Sequence, residues 1–78
     1  MKVTLESTSK ITFLVVNGEE VPARVWEGTT ESGIPCHAFI TRIAVNAQHD
    51  ASDFERDLQE TRAPSAELQR AIPMRMIL

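Results

Sequence analysis

The chain has 78 residues, 42% of them hydrophobic and 24% charged, with a formal net charge of −3 at pH 7. A chain this short has room for one hydrophobic core, so we predict a single domain over residues 1–78. An acidic pI near 5.2 argues against nucleic-acid binding, which usually needs a basic surface. No apolar run approaches the roughly 20 residues that span a bilayer, so we expect no membrane contact.

The cysteine content and the N-terminus bear on location and metal binding. Cys36 is the only cysteine, so an internal disulfide is impossible. The N-terminal residues lack the apolar stretch of a secretory signal peptide, and we therefore predict a cytoplasmic protein. A zinc site would need Cys36, both histidines and a carboxylate to converge, and no zinc-ligand spacing is present. We expect no metal and no cofactor.

Residues 2–45 carry the patterns of strands. Lys2–Glu6 alternates in polarity, and the polar residues 7–9 interrupt the pattern. Ile11–Val16 is β-branched and apolar, as in a strand that is buried on both faces. Asn17 and Gly18 follow, and this dipeptide between two strand-like runs predicts a two-residue hairpin turn.

A second hairpin is predicted between the strands Val21–Gly28 and Ile34–Val45. Residues 30–33, Thr-Glu-Ser-Gly, fit a three-residue loop that ends in a left-handed glycine. This loop would place Val25 opposite Phe39 and Glu27 opposite His37. The strand also contains Pro22, which cannot donate a ladder hydrogen bond and should lie near the start of the strand or face away from a partner.

The register divides the apolar side chains between two sheet faces. A one-residue slip would exchange the faces, so the assignment depends on the loop length. We take one face as the core, and its members are Val21, Val25, Phe39, Ile43 and Val45. The other face is predicted to carry Trp26, Cys36, Ala38 and Ile40.

Helix signals begin after residue 49. Ser52 with Glu55 fits a capping box, and Asp50 with Asp53 is a competing start. The helix should end near Thr61 or Arg62, because Pro64 disfavours helical geometry before it. Its large apolar side chains are Phe54 and Leu58, so we expect both to face the sheet and Phe54 to be important for stability.

The C-terminal residues complete the predicted fold. Ala66–Ala71 fits a short second helix, and Met74–Leu78 reads as a final short strand. The predicted class is α+β: a small antiparallel sheet of three to four strands, one helix packed on one face, and the short C-terminal strand.

Cys36 and His37 are the obvious catalytic candidates, because a thiolate beside an imidazole is the core of cysteine nucleophilic catalysis. Neighbouring side chains of a strand point to opposite faces, however, so these two make a poor dyad. The favoured interpretation of Cys36 is a buried structural thiol. His37 opposite Glu27 is typical of a cross-strand pair. We therefore predict no catalytic residue.

Arg24, Trp26 and Ile40 are the candidate binding residues. They share the sheet face that a single helix on the core face would leave uncovered, and Trp and Arg are enriched at binding hot spots. The alternative is that Trp26 packs under the helix with Arg24 at the rim. Because the strand Ile34–Val45 is apolar on both faces, we expect a second subunit to cover the second face in a symmetric homodimer.

The segment Ala23–Val45 resembles short uncharacterised proteins encoded in bacteriophage and prophage genomes, and the likeness extends towards Leu58–Ser65 and the Ile72–Pro73 ending. Small phage proteins of this kind often act by binding a host component. The resemblance therefore implies an accessory protein that binds a host or phage protein.

Three functions from different classes follow from these observations. The leading one is a non-enzymatic binding module. The second is a small enzyme that uses Cys36 or His37 at a subunit interface. The third is an acidic mimic of nucleic acid, formed by helix carboxylates such as Asp53, Asp57 and Glu60.

Overall fold

A computed structural model describes residues 1–66 of the chain. Within them a three-stranded antiparallel sheet, in the order β1-β2-β3, is followed by one short helix. The elements are β1 (Val3–Val16), β2 (Glu19–Thr30), β3 (Pro35–Ile40) and α1 (Ala51–Leu58). This confirms an α+β class with a small sheet. The predicted helix at Ala66–Ala71, beyond its first residue, and the strand at Met74–Leu78 lie outside the described residues.

The turn between β1 and β2 is the one that the Asn-Gly dipeptide predicts. Asn17 has φ 52° and Gly18 has φ 80°, the left-handed values that a type I′ turn requires at both central positions. Val16 and Glu19 pair directly on either side of it. The twist of this turn matches the twist of paired strands, so the local sequence favours the hairpin.

Strand β1 continues through the polar residues that the sequence pattern treats as a break. Ser7 pairs with Trp26 and Ile11 pairs with Arg24, so residues 8–10 of β1 lie opposite the single residue Val25. The fully buried Thr8 donates its hydroxyl to the Val25 carbonyl at 2.6 Å, and Arg24 donates to the Thr8 carbonyl at 2.7 Å. The interruption is therefore a β-bulge, held by hydrogen bonds from side chains.

The second hairpin has the predicted register. Val25 pairs with Phe39, and Glu27 pairs with His37. Gly33 has φ 85°, and its backbone N–H donates to the Thr30 carbonyl at 2.9 Å. The three-residue loop is thus confirmed.

Strand β3 ends at Ile40, five residues earlier than predicted. If β3 continued past Thr41, Arg42 would lie opposite Pro22. Pro22 has no N–H to donate to the strand pairing, so the pairing ends before that position. Ile43 and Val45 lie beyond the strand and are 47% and 38% exposed, so their assignment to the core was wrong.

The buried hydrophobic residues in the described part of the chain are Ala23 and Val25 on β2. Val21 and Phe39, also predicted for the core, are half-buried. The core among residues 1–66 is therefore small, as expected for a short chain.

Helix α1 begins at the second of the two starts that the sequence offers, the one with Asp50 and Asp53. Asp50 is its N-cap and accepts a hydrogen bond from the Ser52 backbone N–H at 2.9 Å, so the capping box that begins at Ser52 was wrong. The helix ends at Leu58, earlier than predicted: the N–H groups of Gln59 and Glu60 donate to the Arg56 and Asp57 carbonyls in a turn, and Arg62 then pairs alongside β1. There the Arg62 N–H donates to the Ser7 carbonyl at 3.1 Å, and the Ser9 N–H donates to the Arg62 carbonyl at 2.9 Å.

Over residues 1–66, no helix has the length and apolar character needed to cross a bilayer.

Gly28 supports the pairing of β1 with β2, and its replacement tests this. A Cβ at this position would overlap the Thr4 carbonyl oxygen and lie 2.9 Å from Leu5 Cα. Both contacts are backbone, so relief requires the strands to separate. We expect Gly28→Ala to destabilise the fold by about 1–3 kcal/mol, a fall in melting temperature of roughly 4–8 °C per kcal/mol.

The matched control for Gly28→Ala is Thr29→Ala, at an exposed position in the same strand. Its cost should stay within the ~1 kcal/mol range of β-propensity. Equal melting temperatures for the two variants, measured by circular dichroism, would contradict the close strand contact.

Candidate functional site

Glu27 is the charged residue that β2 carries into the interior. Its exposed fraction is 6%, and its carboxylate accepts hydrogen bonds from three residues. Ser65 donates both its hydroxyl, at 2.5 Å, and its backbone N–H, at 2.8 Å. Arg62 lies 3.2 Å away and His37 lies 3.3 Å away. We call these four residues the glutamate cluster.

Arg62 resolves a conflict between two like charges. Glu6 and Glu27 are direct cross-strand partners, and opposed like charges destabilise a sheet. The Arg62 guanidinium donates to Glu6 at 3.1 Å and to Glu27 at 3.2 Å. One cation therefore bridges the two carboxylates and ties the residues after α1 to the sheet.

The cluster changes the acidity of Glu27. Burial alone would raise the pKa of Glu27, but the hydrogen bonds from the Ser65 hydroxyl and N–H, the His37 contact and the Arg62 charge outweigh it. The net effect is a lowered pKa, so Glu27 is a carboxylate at neutral pH. A carboxylate only accepts hydrogen bonds, so the His37 contact requires a proton on His37 Nε2.

The chemistry available to this cluster differs from that of a nucleophilic triad. A serine nucleophile needs an imidazole to take its proton, with an acid behind the imidazole. Here Glu27 lies between Ser65 and His37, so the serine hydroxyl donates to a weakly basic carboxylate. The arrangement is suited to holding backbone segments together.

The three candidate binding residues lie together on the opposite face of β2. Arg24, Trp26 and Ile40 line one cleft of about 400 Å³. We call it the Trp26 cleft. Its other apolar lining residues are Ile11, Pro22, Ala23, Ile43, Phe54 and Leu58. Its remaining polar and charged lining residues are Ser7, Thr41, Arg42 and Asp57.

Each wall of the Trp26 cleft comes from a different element. Strands β1 and β2 contribute Ile11 and Trp26, and β3 ends in the cleft at Ile40. Helix α1 contributes Phe54, which is half-buried, and Leu58, which is 38% exposed. The two helix residues therefore lie beside the Trp26 face of the sheet and not the Val25 face, which we had predicted to be the core face.

Arg24 has a structural contact as well as a place in the cleft. One of its guanidinium nitrogens donates to the Thr8 carbonyl in the bulge. This contact links the Arg24 side chain of β2 to the backbone of β1 at the edge of the cleft. The sequence made Arg24 a candidate binding residue and gave no sign of its contact with the bulge.

The candidates for the enzyme and nucleic-acid-mimic functions do not come together in one site. Cys36 is half-buried and pairs with Gly28, so its thiol and the neighbouring His37 imidazole point to opposite faces, as predicted. Asp53 accepts from Arg56 at 2.6 Å on the exposed helix surface, and Asp57 lines the cleft. No group of three or more His, Cys, Asp or Glu side chains within residues 1–66 is arranged to hold a metal ion.

Sequence reasoning missed Ser65 and Arg62 as partners of Glu27. Their separations from Glu27 are 38 and 35 residues. A glutamate within an apolar strand was the one available signal, because a buried charge requires partners.

Comparisons with models of protein families, with curated proteins and with solved structures gave no match.

The glutamate cluster predicts how stability depends on pH. Because the pKa of Glu27 is lowered on folding from its ordinary value near 4.5, the cluster stabilises the fold fully above that pH. The stabilisation is lost as the pH falls through the lower pKa of the folded state. Glu27→Gln should remove this dependence and cost about 1–2 kcal/mol at pH 7, since an amide accepts weaker hydrogen bonds than a carboxylate does.

Urea unfolding at a series of pH values between 3 and 7 measures this difference. Glu31→Gln, in the exposed loop between β2 and β3, is the matched control and should follow the wild type. A constant stability gap between wild type and Glu27→Gln down to pH 3 would contradict the assignment.

Proposed function

We propose that this chain is a non-enzymatic protein-binding module whose binding site is the Trp26 cleft. The observation that carries the proposal is the convergence of Arg24, Trp26 and Ile40 on one concave surface with an apolar lining. Its occupant would be an apolar side chain of a partner protein, held between the indole and the helix.

The dimensions and composition of the cleft support this use. Binding clefts commonly measure about 300–1,000 Å³ and combine an apolar lining with a few polar groups at the edge. The Trp26 cleft, at about 400 Å³, falls within that range. Trp26 offers a rigid apolar surface, and Arg24 and Arg42 offer donors to backbone carbonyls or carboxylates of the partner. Trp and Arg are the residues that most often dominate binding energy at interfaces.

In this proposal helix α1 closes one side of the cleft and does not complete a conventional core. Phe54 and Leu58 keep part of their apolar surface exposed, so a ligand can contact them. A helix that packed fully against the sheet would bury both side chains. The partial packing is what keeps the site open.

The glutamate cluster supports a binding role over catalysis. The order of its groups, with the carboxylate between serine and histidine, does not activate a nucleophile. Arg62 and Ser65 instead attach residues 62–65 to the sheet through Glu27, and His37 links β3 to β2 through the same carboxylate. The cluster thereby fixes the backbone that follows α1. Helix α1 itself forms one wall of the cleft.

The resemblance to short phage and prophage proteins extends the proposal to a biological setting. Such a module would act in the bacterial cytoplasm as an accessory protein, and its partner would be a host or phage protein. The binding mode requires only that the partner present an exposed apolar anchor.

Charge placed in the cleft tests the proposal. Ile40→Glu and Leu58→Glu each place a charged carboxylate where the apolar anchor of the partner would be buried. We expect either variant to weaken partner binding at least tenfold, about 1.4 kcal/mol. Ile34→Glu, at a 60% exposed position in the loop before β3, is the control and should bind like wild type.

The measurement has two stages. Protein captured from a bacterial lysate on immobilised wild type is identified, and then titrated against each variant while Trp26 fluorescence is recorded. Circular dichroism establishes that each variant is folded. Equal affinity for wild type, Ile40→Glu and Leu58→Glu would overturn the assignment of the site.

A further inference from the structure

A row of exposed apolar side chains extends from the Trp26 cleft towards the β1–β2 turn. Ile11, Phe13 and Val15 alternate along β1 and are 47%, 61% and 74% exposed. Their cross-strand partners are Arg24, Pro22 and Glu20, so the row lies on the same sheet face as Trp26. We call Phe13 and Val15 the distal stripe. Solvent exposure of two large apolar residues beside an apolar cleft marks an interaction surface.

We propose that the Trp26 cleft receives Phe13 from a second copy of this chain in an antiparallel, two-fold symmetric dimer. In this arrangement the sheet faces stack, and each copy places its distal stripe over the cleft of the other. The inference rests on the proposed function, because it uses the same cleft, and it identifies the apolar anchor as Phe13.

The position of Phe13 suits it to this role. Phe13 pairs with Pro22, which lines the cleft, so the ring lies immediately outside the cleft of its own chain. A two-fold axis through this region places the ring of one copy over the cleft of the other. Stacked sheets lie about 10 Å apart, a gap that side chains from both faces fill.

Charge complementarity identifies a second copy as the occupant. The turn end of this face carries Glu20, and the cleft end carries Arg24 and Arg42 against Asp57. An antiparallel arrangement brings Glu20 of one copy to the arginines of the other, twice by symmetry. A parallel arrangement would place like charges together. The face is therefore self-complementary in one orientation, as a two-fold interface requires.

The small core gives the dimer an energetic role. In the described part of the chain, the buried hydrophobic residues are Ala23 and Val25. Domains of this size commonly gain support from disulfides, metals or self-association, and a single cysteine excludes an internal disulfide. Covering Phe13 and the cleft in a dimer would add the apolar burial that the described core lacks.

The first test measures molecular mass by light scattering over a hundredfold dilution. Wild type should pass from dimer to monomer, and Phe13→Asp should raise the dissociation constant at least tenfold. Val16→Asp is the matched control, because Val16 is in the same strand, 47% exposed and on the opposite face. A wild type that stays monomeric, or a Phe13→Asp variant as dimeric as Val16→Asp, would overturn the proposal.

The second test is complementation. A mixture of Phe13→Asp with Ile40→Glu retains one intact contact, Phe13 of the second variant in the cleft of the first. Differently tagged copies of these two variants should therefore co-purify better than two copies of either one. Glu20→Lys should weaken the dimer, and Glu20→Lys combined with Arg42→Glu should restore it. Failure of both pairs to recover association would refute the antiparallel arrangement.

These experiments separate this inference from the proposed function. Phe13→Asp leaves the cleft of its own chain intact, so it should still bind a captured partner protein. If wild type is monomeric but Leu58→Glu loses that partner, the dimer is refuted and the binding module stands. If dimerisation depends on Phe13 and no other protein requires the cleft, the site serves self-association alone.

Discussion

The fold depends on keeping the buried carboxylate of Glu27 satisfied. A charge with an exposed fraction of 6% is strongly destabilising unless hydrogen bonds and an opposite charge compensate it. Glu27 obtains these from Ser65, Arg62 and His37, which belong to two distant parts of the chain. The requirement therefore acts as a positional constraint: residues 62–65 must lie against the sheet, and β3 must present His37 at the opposite register position.

That constraint also determines where the candidate site is. Alternation along β2 means that a buried Glu27 places Trp26 on the other face. After α1 ends at Leu58, Arg62 is attached beside β1, and the helix residues Phe54 and Leu58 line the cleft next to Trp26. The candidate binding surface and the ionic network therefore lie on opposite faces of β2 and are linked through the residues that follow α1. The bulge at residues 8–10 contributes as well, since it positions Arg24 through the Thr8 carbonyl.

Local chemistry made the hairpins predictable. The Asn17-Gly18 turn and the Gly33 loop need backbone conformations that few residues adopt, so the turn types and the register between β2 and β3 follow from a few adjacent residues. The faces of β2 follow from that register, which is why Arg24, Trp26 and Ile40 could be grouped in advance. The predicted end of β3 was wrong because the residue that ends this strand, Pro22, lies on the neighbouring strand β2. Pro22 acts only through the cross-strand hydrogen bond that it cannot donate.

The sequence by itself determined the class of the fold, the two hairpins, the pairing of Glu27 with His37 and the shared face of the candidate binding residues. Each depends on turn chemistry or on strand alternation, which act over a few residues or through one tight loop. Only the tertiary structure decided that polar residues 8–10 form a bulge and that Arg62 and Ser65 complete the environment of Glu27. Those outcomes join residues 16–56 positions apart. No local pattern encodes such partners, because they are selected by which buried polar groups must be satisfied once the sheet has formed.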